Sequence, residues 1–178
     1  AQRESLLEII NTSLNEIYVF NRKTLRFEYV NMGAQRNLGY TLEQLRQMSP
    51  LDIKPEFTED SFREILRPLV EGKQSTLVFR TVHRRADGNN YPVEVHLQLM
   101  GQADDSVFLA VIFDITERKR AEEILHQREE QYRTLVEQIP AIVYVDDATA
   151  APGHTVYVSP QIETILGLTP EEWMQGDL

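Results

Sequence analysis

Four histidines and two aspartate pairs are the side chains best suited to chemistry in this sequence, and their settings argue against a reactive centre. His83 and His96 fall on neighbouring predicted strands and are close enough in sequence to approach one another. A metal site needs a third ligand, and none is in reach, so both read as ordinary strand histidines. His126 stands in LHQREE, a helical stretch without the Glu-Leu-Arg-x-Pro context of a phosphoaccepting histidine, and reads as a solvated position. His154 lies in the loop ATAAPGH and reads as surface. Asp104-Asp105 and Asp146-Asp147 sit where turns are expected, as solvated acids rather than a catalytic dyad. The chain has no cysteine, which excludes disulfides, thiolate zinc sites, iron–sulfur clusters and thiol catalysis. No phosphate-cradling glycine loop, nucleophile elbow or zinc-helix motif is present. The sequence therefore predicts no catalytic site and no metal centre within these residues.

The elements that carry these side chains belong to a globular chain. It has 178 residues, 42% hydrophobic and 26% charged, enough apolar side chain for a real core. The longest purely apolar run, 107–113, is far short of the ~20 residues that cross a membrane as a helix, so no span is expected and a cytoplasmic location is. Charge is uneven. Residues 117–133 hold five acids and five bases, whereas 134–178 hold seven acids and neither lysine nor arginine. An acidic chain without a basic stripe predicts no nucleic-acid partner. It begins at Ala1 and stops just after a helix signal, as a fragment of a longer protein would.

An internal repeat organises the chain. Residues 27–46, FEYVNMGAQRNLGYTLEQLR, and 155–174, TVYVSPQIETILGLTPEEWM, are related by a shift of 128, with Tyr29, Val30, Leu38, Gly39, Thr41 and Glu43 repeated as Tyr157, Val158, Leu166, Gly167, Thr169 and Glu171. The matches share a local grammar. A strand ends in Tyr-Val, and Asn31 or Ser159 caps a short helix, with Pro160 suited to its first position. Gly39 or Gly167 closes that helix in the left-handed conformation. Thr41 or Thr169 then opens a second helix with a capping box to Gln44 or Glu172. Upstream, EIYVFN (16–21) and AIVYVD (141–146) are matching strands, followed by turns that differ by three residues. The second copy lacks the later strands, so Ile142, Tyr144, Ile162 and Ile165 are expected to be uncovered.

In the first copy, Leu6, Leu7, Ile9 and Ile10 suggest an opening helix, and strands are predicted at about 17–21 and 26–30. Ser49 to Ile53 forms a helical turn. Phe62, Ile65, Leu66, Leu69 and Val70 mark one helix face, with Pro68 expected to kink or end it. Leu77 to Arg85, the alternating segment around Val93, Val95, Leu97 and Leu99, and Val107 to Ile115 are strands. The order β-β-α-α-α-β-β-β predicts an α+β domain, an antiparallel five-stranded sheet with helices packed on one face.

Three stretches resemble the PAS family: EIYVFN with FEYVN, then LGYTLEQL, and RRADGNNYPVEV followed by VIFDITERKRAEE, where Asp114-Ile115-Thr116 matches the family's DIT signature. The likeness divides the chain into a PAS domain at 1–116, a helical, coiled-coil-like linker at 117–133, and the opening part of a second PAS domain at 134–178. It implies a non-catalytic sensory module of a larger signal-transduction protein, a sensor histidine kinase of a two-component system first. The alternatives are the input region of a diguanylate cyclase or phosphodiesterase, and a ligand-free dimerisation scaffold. A small-molecule ligand would lie between sheet and helices, with Met48, Phe62, Leu66, Phe79, Leu97, Leu109 and Val111 as lining candidates. Haem is disfavoured because 50–72 contains no histidine. Flavin is disfavoured because no cysteine is present and the single tryptophan, Trp173, lies outside the complete copy. Asp114, Ile115 and Thr116 are implied to couple the sheet to the output helix, with Thr116 as its N-cap.

Glu117 to Ile139 reads as one continuous helix. Arg118, Ala121, Leu125, Arg128, Tyr132, Leu135 and Ile139 follow a 3,4 spacing. The apolar members Ala121, Leu125, Tyr132, Leu135 and Ile139 predict self-association through this helix as a modest parallel coiled coil, weakened by the two arginines.

Overall fold

A computed structural model describes residues 8–101, 105–147, 149 and 155–175. His154, Asp104, Leu6 and Leu7, each singled out above, lie outside the described residues. The chain divides into two compact units, Ala1–Lys119 and Arg120–Leu178.

Residues 8–12, the first described, are helical. The hairpin β1 (Glu16–Asn21) and β2 (Phe27–Val30) follows. Asn21 sets its turn by accepting from the amides of Lys23 (2.9 Å) and Thr24 (3.1 Å). Three helices come next, α1 (Met32–Leu38), α2 (Leu42–Gln47) and α3 (Glu59–Val70), with a 3₁₀ turn at Pro50–Ile53 before α3. Strands β3 (Leu77–Arg84), β4 (Asn90–Met100) and β5 (Val107–Asp114) complete an antiparallel sheet of order β2-β1-β5-β4-β3. The fold is therefore the expected α+β arrangement with a five-stranded antiparallel sheet.

The caps formed as their residues dictate. Asn31 accepts from the Ala34 amide at 2.9 Å. Gly39 adopts φ 76° to close α1, a conformation in which a Cβ would be strained. Thr41 and Gln44 form the reciprocal capping box of α2. Pro68 lies inside α3, which ends two residues later at Val70.

Sheet register corrects one expectation. Directly opposed residues of an antiparallel pair share a face. Leu97 opposes Ala110 and Val95 opposes Ile112, and these residues are buried in the core beneath the helices. Leu109 and Val111 oppose Gln98 and His96, and Val19 and Ile17. They therefore occupy the outer face of the sheet, half-buried, and do not line the space beneath the helices. A continuous apolar strand carries no alternation from which its phase can be read.

The second unit repeats the opening of the first. Its elements are β6 (Tyr144–Asp146), β7 (Thr155–Val158), α5 (Gln161–Leu166) and α6 (Pro170–Met174). Gly167 has φ 74°, and Thr169 with Glu172 forms the capping box of α6. Tyr144 opposes Val158 just as Tyr18 opposes Val30. The first strands are thus offset by 126 rather than 125, and the intervening turns differ by two residues, not three. Asp147 accepts from the Thr149 amide at 2.8 Å, as Asn21 does from Lys23. Ser159 does not serve as the expected cap of α5. Its hydroxyl accepts from the Val143 amide at 3.0 Å instead. Tyr144 and Ile165 are exposed as expected, whereas Ile162 is fully buried.

Between the copies, α4 (Thr116–Gln138) runs for 23 residues without a buried side chain. Leu125, Tyr132, Leu135 and Ile139 are all exposed, as is Ala121. Ile139 lies just past the helix end.

Candidate functional site

The space between sheet and helices is filled by aromatic rings. Phe20, on the inner face of β1, stacks on Phe108 with centroids 5.1 Å apart and meets Phe62 of α3 at 6.2 Å. Phe57 packs edge-on against Phe62 and Phe79 at 5.6 and 5.9 Å. Phe62, Leu66 and Leu97 are buried core residues, and Met48 and Phe79 pack against them at its margin. Five of the seven lining candidates therefore come together in the core. A cleft of about 430 Å³ opens between α3 and the start of β5, with Leu66, Val70 and Phe108 among its walls beside Arg22, Arg63 and Arg67.

At the other end of the same core lies a polar centre that the sequence reading did not identify. Glu16, at the start of β1, shares the inward face with Tyr18 and Phe20 and is 2% exposed. Its carboxylate accepts from three donors: the Tyr18 hydroxyl on Oε2, and on Oε1 the Asn37 amide of α1 and the Tyr91 hydroxyl of β4, the last at 2.7 Å. Lys54, after the 3₁₀ turn, is buried and its Nζ meets Nε2 of His83 on β3. His83 is fully buried, with Nδ1 3.9 Å from Glu16 Oε2 and without a hydrogen-bond partner. While Lys54 is protonated its ammonium has only donors to offer, and in that state the ring proton of His83 sits on Nδ1, facing Glu16.

Burial dominates the electrostatics here. It pushes Glu16 up from 4.5 to about 7, against the hydrogen bonds from Tyr91 and Asn37 that pull it down. It pulls Lys54 down from 10.5 to about 7, against the attraction of Glu16. His83 is held well below 6.5 by burial and by Lys54, and Tyr91 is pushed up by burial and by the Glu16 charge.

His83 and His96 are not brought together. His83 opposes Tyr91 and faces the core, whereas His96 opposes Val78 on the outer face, 3.0 Å from Glu94. His126 is exposed beside Glu130. Among the described residues no cluster of three metal-ligating side chains occurs.

The polar centre is tied to the origin of α4 through the β3–β4 turn. Arg85 stacks its guanidinium 3.8 Å from the Tyr91 ring centroid. It donates to the Asn37 side-chain oxygen at 2.9 Å and to the Asn37 carbonyl at 2.9 Å, and reaches Asp114 Oδ2 at 3.3 Å. Asp114 Oδ1 accepts from both the amide (2.9 Å) and the hydroxyl (2.5 Å) of Thr116. The acceptor at the helix start is thus Asp114, and the Thr116 hydroxyl is a donor to it rather than the expected cap. Ile115 is buried at this seam. Its amide donates to Pro92 of β4 at 3.1 Å, and its carbonyl accepts the first bond of the helix from Lys119 at 2.9 Å.

This architecture, a five-stranded antiparallel sheet with helices on one face and a helix leaving its last strand, is that of a PAS module. Residues 15–117 match the PAS domain family, and 130–178 match a PAS domain again. The chain belongs to the PAS domain family, with a second, partial copy matched from residue 130, within α4.

Solved structures agree in fold. A PAS domain from a two-component sensor histidine kinase has 21% identity and a TM-score of 0.54, covering 64% of this chain and 96% of that one. The PAS domain of an HTR-like protein from Haloarcula marismortui has 23% identity and a TM-score of 0.54, with 64% and 92% covered. The PAS domain of nitrogen regulation protein NR(II) from Vibrio parahaemolyticus has 14% identity and a TM-score of 0.51, with 62% and 97% covered. No curated protein matches the chain. Among the described residues no helix is long and apolar enough to cross a membrane.

Proposed function

We propose that this chain is the non-catalytic sensory region of a larger cytoplasmic signal-transduction protein, a sensor histidine kinase first. In this reading it passes the state of its first PAS domain to α4, which associates with its counterpart in a second copy. The observation that carries the reading is the tie from Arg85 through Asp114 to the first amide of α4, with Ile115 buried at the joint. A 23-residue helix is about 35 Å long, so a small change at its origin is passed along its length. Similar folds from a sensor histidine kinase and from a nitrogen regulation protein support that output over a cyclic-dinucleotide enzyme. The test is autokinase activity in a full-length protein that carries this chain. Asp114→Ala should change activity several-fold while the first domain keeps its melting temperature to within a few degrees. Unchanged activity would contradict the reading.

A second reading, a dimerisation scaffold without a ligand, is favoured by the aromatic filling of the interior. Native mass spectrometry of the purified chain separates the two: a co-purifying small molecule supports a ligand sensor, and a bare mass supports the scaffold.

A further inference from the structure

The coupling just proposed begins at Asp114, yet the contacts that hold Asp114 run inward to three buried ionisable groups from three separate elements. The groups facing Glu16 are Tyr18 on its own strand, Asn37 on α1, Lys54 after the 3₁₀ turn, His83 on β3, Tyr91 on β4 and the Asp114 charge at the end of β5, with Arg85 stacked on Tyr91. The two buried charges, one negative and one positive, balance while Glu16 is ionised and Lys54 protonated. His83 stands between them with its Nδ1 unpartnered. A single proton gained or lost leaves that buried pair unbalanced, which drives its neighbours to rearrange.

We propose that Glu16, His83 and Lys54 form a proton-responsive centre whose charge state is transmitted through Asn37, Tyr91, Arg85 and Asp114 to the first turn of α4.

The route follows from donor counting. Ionised Glu16 accepts three hydrogen bonds. A protonated carboxyl must itself donate, and its remaining bonds lose the charge assistance that roughly doubles their strength. Two of the three donors, Asn37 and Tyr91, are the groups that hold Arg85. Arg85 in turn holds the carboxylate that receives the Thr116 amide. Protonation of Glu16 therefore loosens Arg85 and, with it, Asp114. Both ionisable ends lie near 7, so the centre responds in the pH range of a cell interior.

This inference rests on the sheet-to-helix coupling proposed above, and its test is kept separate from output. In the whole isotopically labelled chain, the Glu16 carboxyl carbon and the Thr116 and Glu117 amides are followed by NMR from pH 5.5 to 9. The expected result is a Thr116 transition at the Glu16 midpoint. That transition should be absent in Glu16→Gln. In Arg85→Gln its amplitude should fall at least threefold while Glu16 still titrates. A Thr116 amide that ignores the Glu16 transition, an equal response in Arg85→Gln, or a Glu16 that does not titrate in this range would each overturn the proposal. Should Glu16→Gln fail to fold, the Arg85→Gln comparison decides alone. A flat Thr116 together with a several-fold output change in Asp114→Ala would remove proton control and leave the coupling standing.

Discussion

Asp114 Oδ1 receives both the amide and the hydroxyl of Thr116, at 2.9 and 2.5 Å, while its Oδ2 faces Arg85 at 3.3 Å. One carboxylate thus ends the last strand, starts the helix and meets the turn between β3 and β4. It follows that removing Asp114 costs more than removing the hydroxyl that donates to it. Asp114→Ala should destabilise the start of α4 by roughly 0.5–2 kcal/mol, and Thr116→Ala by less. Amide exchange at 117–120 reads both. Equal effects, or a larger one for Thr116→Ala, would contradict the assignment of the cap to Asp114.

The buried charges give stability a definite pH dependence. Lys54 is held at about 7 against 10.5 when unfolded, so its contribution is full above 10.5 and is lost as pH falls through 7. Glu16, raised from 4.5 to about 7, contributes fully below 4.5 and loses that contribution as pH rises through 7. His83, held well below 6.5, loses its contribution as pH falls below 6.5 and so offsets Glu16 on the acid side. Between pH 7 and 9 wild type should therefore gain roughly 2 kcal/mol relative to Lys54→Met, from denaturant unfolding at each pH. Parallel curves for the two proteins would contradict it.

Gly33 sits in the first turn of α1 where a Cβ would come 2.4 Å from the Ser13 carbonyl oxygen and 2.9 Å from that of Asn15. Both obstacles are backbone atoms and cannot swing aside. Gly33→Ala should lower stability by about 1–3 kcal/mol, despite alanine's better helix propensity. A melting temperature equal to wild type or higher would show that the opening segment can retreat.

Much of the fold is written in local patterns. Asn31, Gly39, Thr41 and Gln44 specify their caps by chemistry alone, and so do Gly167, Thr169 and Glu172. The alternation in EIYVFN placed Glu16 on the face of Tyr18 and Phe20, a signal that was available for the buried centre. His83 likewise shares its face with Phe79, and Tyr91 with Val93. What no local pattern carries is Lys54: a lysine before a proline reads as exposed loop, whereas in the fold it is buried against His83 of β3. The phase of β5 was hidden for a different reason, since Val107 to Phe113 is apolar at every position and Leu109 and Phe108 look alike until the partner strands fix the register.

The exposed face of α4 should mediate self-association. Ala121, Leu125, Tyr132, Leu135 and Ile139 follow a heptad track and are all exposed. Sedimentation equilibrium should show mass rising with concentration into the high micromolar range, and Leu125→Glu should shift that rise at least tenfold upward. A strict monomer, or a dimer indifferent to Leu125→Glu, would place association elsewhere.

The proposed signalling route requires that the sheet and α4 be joined energetically through Arg85 and Asp114. A double-mutant cycle of Arg85→Gln and Asp114→Ala, read as amide-exchange free energies at 117–120, measures that joint directly. Both side chains are about one-third exposed, so solvent screens the pair and the coupling is modest. The expected coupling free energy is at least ~0.5 kcal/mol, with the double variant less destabilised than the two single variants summed. Strict additivity would contradict it.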